Sequence, residues 1–455
     1  MPFLAFPEPG GPFAVGQCDV LWKDPTDASK KLMVRIFYPV DKEATAGVPN
    51  APWLPETYGA KCPTYAEAYA KFMWRPGINS VLIGSFAFSP LMSNVRTQTF
   101  GGVPITESLK PIRPLVYSHG LGGSRSCYSG VCVDLASHGF FVAALEHTDG
   151  SASLSAMSDG TVIEHSFVPP LAVIPVKPQK IPGGFTSSLI PKTRTEPMTQ
   201  YEFRNKQLIK RAAEVSFVAD CLEKLNQGAD ADNVPIPAHL ASVVGRLDMS
   251  KLSVVGHSFG AATSITACQQ DERFKACVAH DAWLFPLSES VATGALRVPT
   301  LFLNADTFEM LWPEEGNKLL YALTQRSRAR KVSVRTFGVN GTKHQNYSDF
   351  PVIAPELTGA MGVRGETDPD VALGVINACG AAFLDHHLSS VPRAPDWEVP
   401  KELEGAVTPY DAHRWGISVA GLKEEEAGAA DVTVTVKIGA FTNDRTYVPP
   451  SINQV

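Results

Sequence analysis

The sequence predicts an α/β chain built on a mostly parallel central sheet flanked by helices. Three observations carry that reading. Short apolar runs alternate with helix-length segments from Pro114 onward. One such run turns sharply through Gly256-His-Ser-Phe-Gly260 into a helix of small residues. A long segment near 201–225 repeats apolar residues at three- and four-residue steps. Strand–helix–strand alternation of this kind builds parallel sheets with helices on their faces.

Each element follows from local pattern. Phe13–Val20 and Leu32–Tyr38 alternate with a period of two and read as the antiparallel opening edge of the sheet. Loops rich in Gly, Pro and Asn come next. Leu115–Ser118, a helix over Cys127–His138 and Phe140–Leu145 then form a first strand–helix–strand unit. Residues 150–200 carry Pro169, Pro170, Pro175, Pro178, Pro182 and Pro191, which leave little room for regular structure. They read as a Pro-rich insertion and a candidate lid. The helix over Tyr201–Leu225 presents Leu208, Ala212, Val215, Val218 and Leu222 on one face and should pack on the sheet. Beyond the turn, Ala261–Gln270 is helical, and Ala276–Ala279, Thr300–Leu303 and Val332–Phe337 are candidate parallel strands. Val371–His387 forms a final helix. Past Tyr410 the chain turns small and acidic, with one alternating stretch at Val432–Lys437. The expected organisation is a catalytic unit over 10–410 and a C-terminal extension over 411–455.

Composition excludes several functions. Of 455 residues, 44% are hydrophobic and 19% charged, the balance of a globular chain with a large core. A net charge of -6 without a basic cluster argues against a nucleic-acid partner. The longest apolar stretch, Val81–Phe88, is far short of the ~20 residues a spanning helix needs. The first ten residues lack a basic n-region and an apolar core, and Pro2 rules out N-myristoylation, so a cytoplasmic location is expected. Eight cysteines are scattered without zinc spacing and read as reduced core thiols; no metal or cofactor is expected.

Gly256-His-Ser-Phe-Gly260, set between strand and helix, has the form of a nucleophile elbow, the mark of the α/β-hydrolase fold. Ser258 is therefore the candidate nucleophile. A hydroxyl is un-ionised at neutral pH and needs a base and an orienting acid, which in this fold follow in the order acid, then His. Among His280, His344, His386, His387 and His413, only His344 lies on a loop just past the last central strand, so it is the expected base. Asp281 and Asp306 each follow a strand, and position alone leaves the acid open between them. The oxyanion hole should use the amides of Phe259, directly after the nucleophile, and of Leu121 in His119-Gly-Leu-Gly-Gly123. His119 itself reads as a loop histidine satisfied by nearby backbone.

Longer runs carry a resemblance. Tyr117-Ser-His-Gly-Leu-Gly122, Asp134-Leu-Ala-Ser-His-Gly-Phe140, Asp248-Met-Ser250, Gly256–Gly260, Asp281-Ala-Trp-Leu-Phe-Pro-Leu287 and His344-Gln-Asn346 are similar to the platelet-activating factor acetylhydrolase family of calcium-independent serine phospholipases. A weaker echo, Asp396-Trp397 with Leu403-Glu-Gly405, extends it toward Pro409. The resemblance implies that Asp281, which opens the Asp-Ala-Trp run, is the acid. It also implies hydrolysis of acetyl, short or oxidised sn-2 esters of glycerophospholipids. Peripheral contact with a membrane or lipid aggregate would follow, with candidate side chains Val81, Leu82, Ile83, Phe86, Val352, Ile353, Leu357 and Met361. The chain departs from the family pattern at His280, Ala261, Thr148-Asp-Gly150 and Gly123-Ser124; together these leave the triad in place and suggest a more open rim that could admit other esters. Two other classes use or abandon the same machinery: a broad carboxylesterase acting on other short or polymeric esters, and a non-catalytic binding protein.

Overall fold

The computed structural model describes residues 6–58, 62–74, 89–167, 171–175, 193–230, 232–306, 313–391, 393 and 397–409. Among them, one eleven-stranded sheet sets the architecture. In chain order its strands are β1 (Ala14–Lys23), β2 (Lys31–Val40), β3 (Asn50–Pro52), β4 (Arg96–Gly101), β5 (Arg113–Ser118) and β6 (Phe140–Leu145), then β11 (Ser253–His257), β12 (Ala276–His280), β13 (Thr300–Ala305), β14 (Val334–Val339) and β15 (Val407–Pro409). They lie in the order β15-β14-β13-β12-β11-β5-β6-β2-β1-β4-β3. From β14 to β6 all neighbours are parallel.

The central strands are buried throughout because helices cover both faces, and their residues alternate between the two cores. Val254 and Phe302 join one core with Leu208, Val215, Ile265 and Leu320. Val255 and Leu301 join the other with Val131, Leu135, Leu373 and Ile376. The first face therefore carries the helices Gln200–Gln227, Phe259–Gln270 and Pro313–Ala329, and the second carries Tyr65–Trp74, Ser129–Ser137 and Pro369–His387. We call these α1 (Tyr65–Trp74), α2 (Ser129–Ser137), α3 (Gln200–Gln227), α4 (Phe259–Gln270), α5 (Pro313–Ala329) and α6 (Pro369–His387). Helix α3 starts on a capping box, Thr199 accepting from the Glu202 amide while the Glu202 carboxylate accepts from the Thr199 amide, and stops at left-handed Gly228. Helix α6 starts where Asp368 accepts from the Asp370 and Val371 amides.

Three expectations change. The opening hairpin is not the sheet edge, because β4 pairs in parallel with β1 at Gly16 and places β4 and β3 outside it. The insertion holds regular structure, two short antiparallel hairpins made by β7 (Leu154–Ala156) with β8 (Val162–Glu164) and by β9 (Leu171–Pro175) with β10 (Thr193–Pro197). Three-residue strands are too short to show a period, and proline tolerates strand ends. Helix α5 and strand β15 were not anticipated, and the stretch read as loops after Tyr38 holds β3, α1 and β4. The alternating stretch Val432–Lys437 and His413 lie outside the described residues.

The elbow needs its glycines for lack of space. A Cβ on Gly260 would stand 2.0 Å from the Ser118 carbonyl oxygen, and one on Gly256 2.4 Å from the Gly260 carbonyl oxygen. Backbone cannot yield here as a flexible side chain could. Gly260→Ala is therefore expected to lose about 3 kcal/mol of stability, an overpacking cost read as a fall in the thermal or denaturant midpoint. An unchanged midpoint would contradict this packing.

Candidate active site

The register of β11 on β12 pairs His257 with His280 at their carboxyl ends. The next residue on each strand is Ser258 or Asp281, so pairing alone sets these two side by side at the sheet edge. Their backbones are tied there: the Ser258 amide donates to the His280 carbonyl at 2.9 Å, and the Asp281 amide to that of Leu303 at 2.9 Å. Both residues have positive φ, 58° and 37°, a conformation that costs non-glycine residues about 1–3 kcal/mol. Ser258 is the N-cap of α4 and is held with its side chain clear of the strand.

His344 arrives from β14, the second strand past β12, on a tight turn and a short 3-10 segment. Its Nε2 lies 3.1 Å from Ser258 Oγ and its Nδ1 2.5 Å from Asp281 Oδ2. The Asp281 side chain is fully buried, and its other oxygen accepts from the Ala305 amide at 3.0 Å. A buried carboxylate persists only when so partnered. Asp306 does not reach His344; its carboxylate accepts from the Gly341 amide at 3.2 Å and shapes the turn that delivers the histidine. His280 is buried, and desolvation lowers its pKa to about 3. His386 and His387 close the last turn of α6, half-buried rather than fully solvated.

The amides of Leu121 and Phe259 donate to no protein acceptor among the described residues, whereas those beside Leu121 are engaged. Gly120 donates to the Tyr128 hydroxyl, Gly122 to the Ser151 carbonyl and Gly123 to the Gly120 carbonyl. Residues 120–123, Ser258 and His344 line one pocket of about 40 Å³, with Tyr128, His257, Gln345 and Phe350. A larger cavity of about 580 Å³ lies between Arg113 and Phe140 at the opposite, amino ends of β5 and β6. His119 is satisfied locally, its ring contacting the Gly120 carbonyl at 2.7 Å and accepting from the His147 amide. Burial holds its pKa well below the usual histidine range.

Several supports gave no signal in the sequence. Arg211 of α3 is fully buried; it donates to Thr263 Oγ1 at 2.9 Å and to the His119 carbonyl and Ser151 Oγ behind the oxyanion loop. Arg125, also buried, binds Glu146 at 2.5 Å, the Tyr65 hydroxyl at 2.6 Å and Asp19 at 3.1 Å. Asp349, five residues past His344, accepts from the amides of Ser129 and Gly130 and from the Trp53 indole, joining the histidine loop to the start of α2. Polar residues far apart in sequence leave no periodic trace. Ser124 is buried beneath the loop, bonded to the Tyr69 hydroxyl at 2.6 Å, so its small size does not open the rim.

His257, Asp281 and His344 gather donor atoms close enough for a metal ion. Most of those atoms are already used: both His344 nitrogens and both Asp281 oxygens have partners and His257 Nδ1 faces the Tyr128 hydroxyl at 3.0 Å, while His257 Nε2 is buried without a hydrogen-bond partner. A cation there would have to break that chain. Of the apolar counterparts, Ile353 is buried, Val352, Leu357 and Met361 are half-buried, and Val81, Leu82, Ile83 and Phe86 lie outside the described residues. No helix among the described residues is long and apolar enough to cross a membrane.

Residues 3–406 match the family described as platelet-activating factor acetylhydrolase, isoform II. The platelet-activating factor acetylhydrolase of Canis lupus familiaris is 28% identical over 396 residues, covering 86% of this chain and 79% of the dog protein. That of Cavia porcellus is 29% identical over 394 residues, covering 86% and 80%. A ferulic acid esterase from Streptomyces cinnamoneus shares the fold with a TM-score of 0.53 at 22% identity, covering 90% of this chain and 99% of the esterase.

The two carboxylates separate cleanly by experiment. Asp281→Asn is expected to lower ester turnover by about 10³–10⁴-fold, because an amide cannot hold the imidazole in the required tautomer. Asp306→Asn should leave turnover within a few-fold of wild type. The reverse ranking would reassign the acid.

Proposed function

Because the chain belongs to the platelet-activating factor acetylhydrolase isoform II family, we propose that it hydrolyses the sn-2 acetyl or short, oxidised acyl ester of glycerophospholipids through a serine-bound acyl intermediate. One observation carries the reading: the unbroken chain from Ser258 Oγ through the His344 ring to Asp281, at 3.1 and 2.5 Å. His344 takes the proton as Ser258 Oγ attacks the ester carbonyl, and Asp281 stabilises the imidazolium that forms. The open amides of Leu121 and Phe259 would receive the oxyanion, each worth about 3 kcal/mol of barrier. His344 then protonates the departing lyso-lipid oxygen, the ester C–O bond breaks, and a water activated by the same imidazole releases the acyl group. No step calls for a metal or cofactor. Ser258→Ala should lower turnover by at least about 10⁴-fold; near-wild-type turnover in that variant would refute the mechanism.

A small, half-open pocket supports short acyl groups. With about 40 Å³ of room between the oxyanion loop, Tyr128 and Phe350, an acetyl fits where a long chain must find another path. Across phosphocholines of graded sn-2 length, kcat/KM is expected to be highest for acetyl and to fall by at least an order of magnitude for palmitoyl. Equal rates along the series, or faster cleavage of simple nitrophenyl esters, would favour a broad carboxylesterase instead.

We assign the catalytic unit to residues 10–410, with 411–455 as an extension. Eight unpaired thiols fit a reducing, cytoplasmic setting. Peripheral contact with lipid would use Val352, Leu357 and Met361, which follow Phe350 at the pocket. Cosedimentation with phosphatidylcholine vesicles should enrich the enzyme in the lipid fraction. Equal recovery with and without vesicles would count against that contact.

A further inference from the structure

Tyr128 stands nine residues after His119, at the entry to α2, with its hydroxyl buried between two parts of the site. The Gly120 amide donates to that hydroxyl at 3.1 Å, and the hydroxyl lies 3.0 Å from His257 Nδ1. The phenol therefore joins the oxyanion loop to the strand residue before Ser258. An amide can only donate, so the phenolic oxygen accepts from Gly120 and bridges that amide to His257 Nδ1. Burial keeps the phenol protonated and holds the His257 pKa well below the ordinary range, so its imidazole is uncharged.

The His257 ring then lies against the ring of His344, with centroids 4.4 Å apart, and stacks on Tyr347 at 5.7 Å and 7°. The base therefore rests on an uncharged aromatic face. A cation at His257 would oppose the imidazolium that His344 must become. From oxyanion loop to base the contacts are continuous: Gly120 to Tyr128, Tyr128 to His257, His257 to His344.

Resting on the esterase reading above, we propose that Tyr128 and His257 act as one positioning unit, setting the depth of the oxyanion loop against the ring of the catalytic base. Neither touches the reacting atoms as a donor or acceptor. Their effect falls on the alignment of the Leu121 amide and of His344 with Ser258, which matters most when negative charge develops on the carbonyl oxygen. Substrate binding depends on it far less.

Tyr128→Phe keeps the ring and removes only the bridging oxygen. It is expected to lower kcat by about 10- to 100-fold while KM stays within about twofold of wild type. His257→Phe should do the same, and the double variant should be no worse than the poorer single one, because both remove one link. A merely structural contribution would shift the melting temperature and leave kcat at temperatures below it unchanged. Wild-type kcat in Tyr128→Phe, a loss confined to KM, or losses that multiply in the double variant would each overturn the proposal. Should His257→Phe fail to fold, kcat of Tyr128→Phe decides alone. Ser258→Ala measured alongside distinguishes the failures: turnover retained there sinks the esterase reading and this inference with it, whereas an inert Ser258→Ala beside a fully active Tyr128→Phe sinks only the inference.

Discussion

The pairing of His257 with His280 at the carboxyl ends of β11 and β12 is the constraint from which the site is built. It sets Ser258 and Asp281 at equivalent positions on neighbouring strands, and each then turns through a positive φ. A slip of one residue would reverse the faces of β11, sending Val254 and Val255 into the wrong cores and separating hydroxyl from carboxylate. Burial on both faces thus enforces the register that the proposed chemistry needs. The strain at the two turns is offset by hydrogen bonds on every side: Ser258 to His280 and Trp283, Asp281 to Leu303, Ala305 and His344.

Around this pair the protein holds its loops with buried ionic and polar groups rather than apolar packing alone. Arg211 grips the loop at 119–123 from behind, Arg125 ties its far end to Glu146 and Asp19, and Asp349 fastens the histidine loop to α2. Such groups are expensive to bury, and their removal leaves partners unpaired at about 3–5 kcal/mol. Two open amides amid so many satisfied ones are therefore informative. Leu121 and Phe259 lack described acceptors beside a serine that reaches a histidine, which is what the proposed oxyanion site requires.

Much of this was legible in the residues. The central strands announced themselves as apolar runs because both faces are covered, and Gly256 and Gly260 marked the elbow because nothing larger fits. His344 could be found from its place after a strand. Asp281 could not be chosen over Asp306 by pattern, since both follow strands; only the Asp-Ala-Trp resemblance favoured it. Other features carried no local signature. The parallel pairing of β4 with β1 and the antiparallel return of β15 join segments distant in sequence. The three-residue strands of the insertion's first hairpin fall below the length at which a period shows. Arg125, Arg211, Tyr128 and Asp349 are isolated polar residues whose partners lie on other elements.

Convergence of hydroxyl, imidazole and carboxylate at one edge of the sheet has a direct chemical reporter. Reaction of the intact protein with a fluorophosphonate, followed by peptide mass spectrometry, should give a single adduct on Ser258, formed far more slowly when His344 is replaced by alanine. An adduct on a different serine, or ester hydrolysis that continues while Ser258 stays unmodified, would contradict the account.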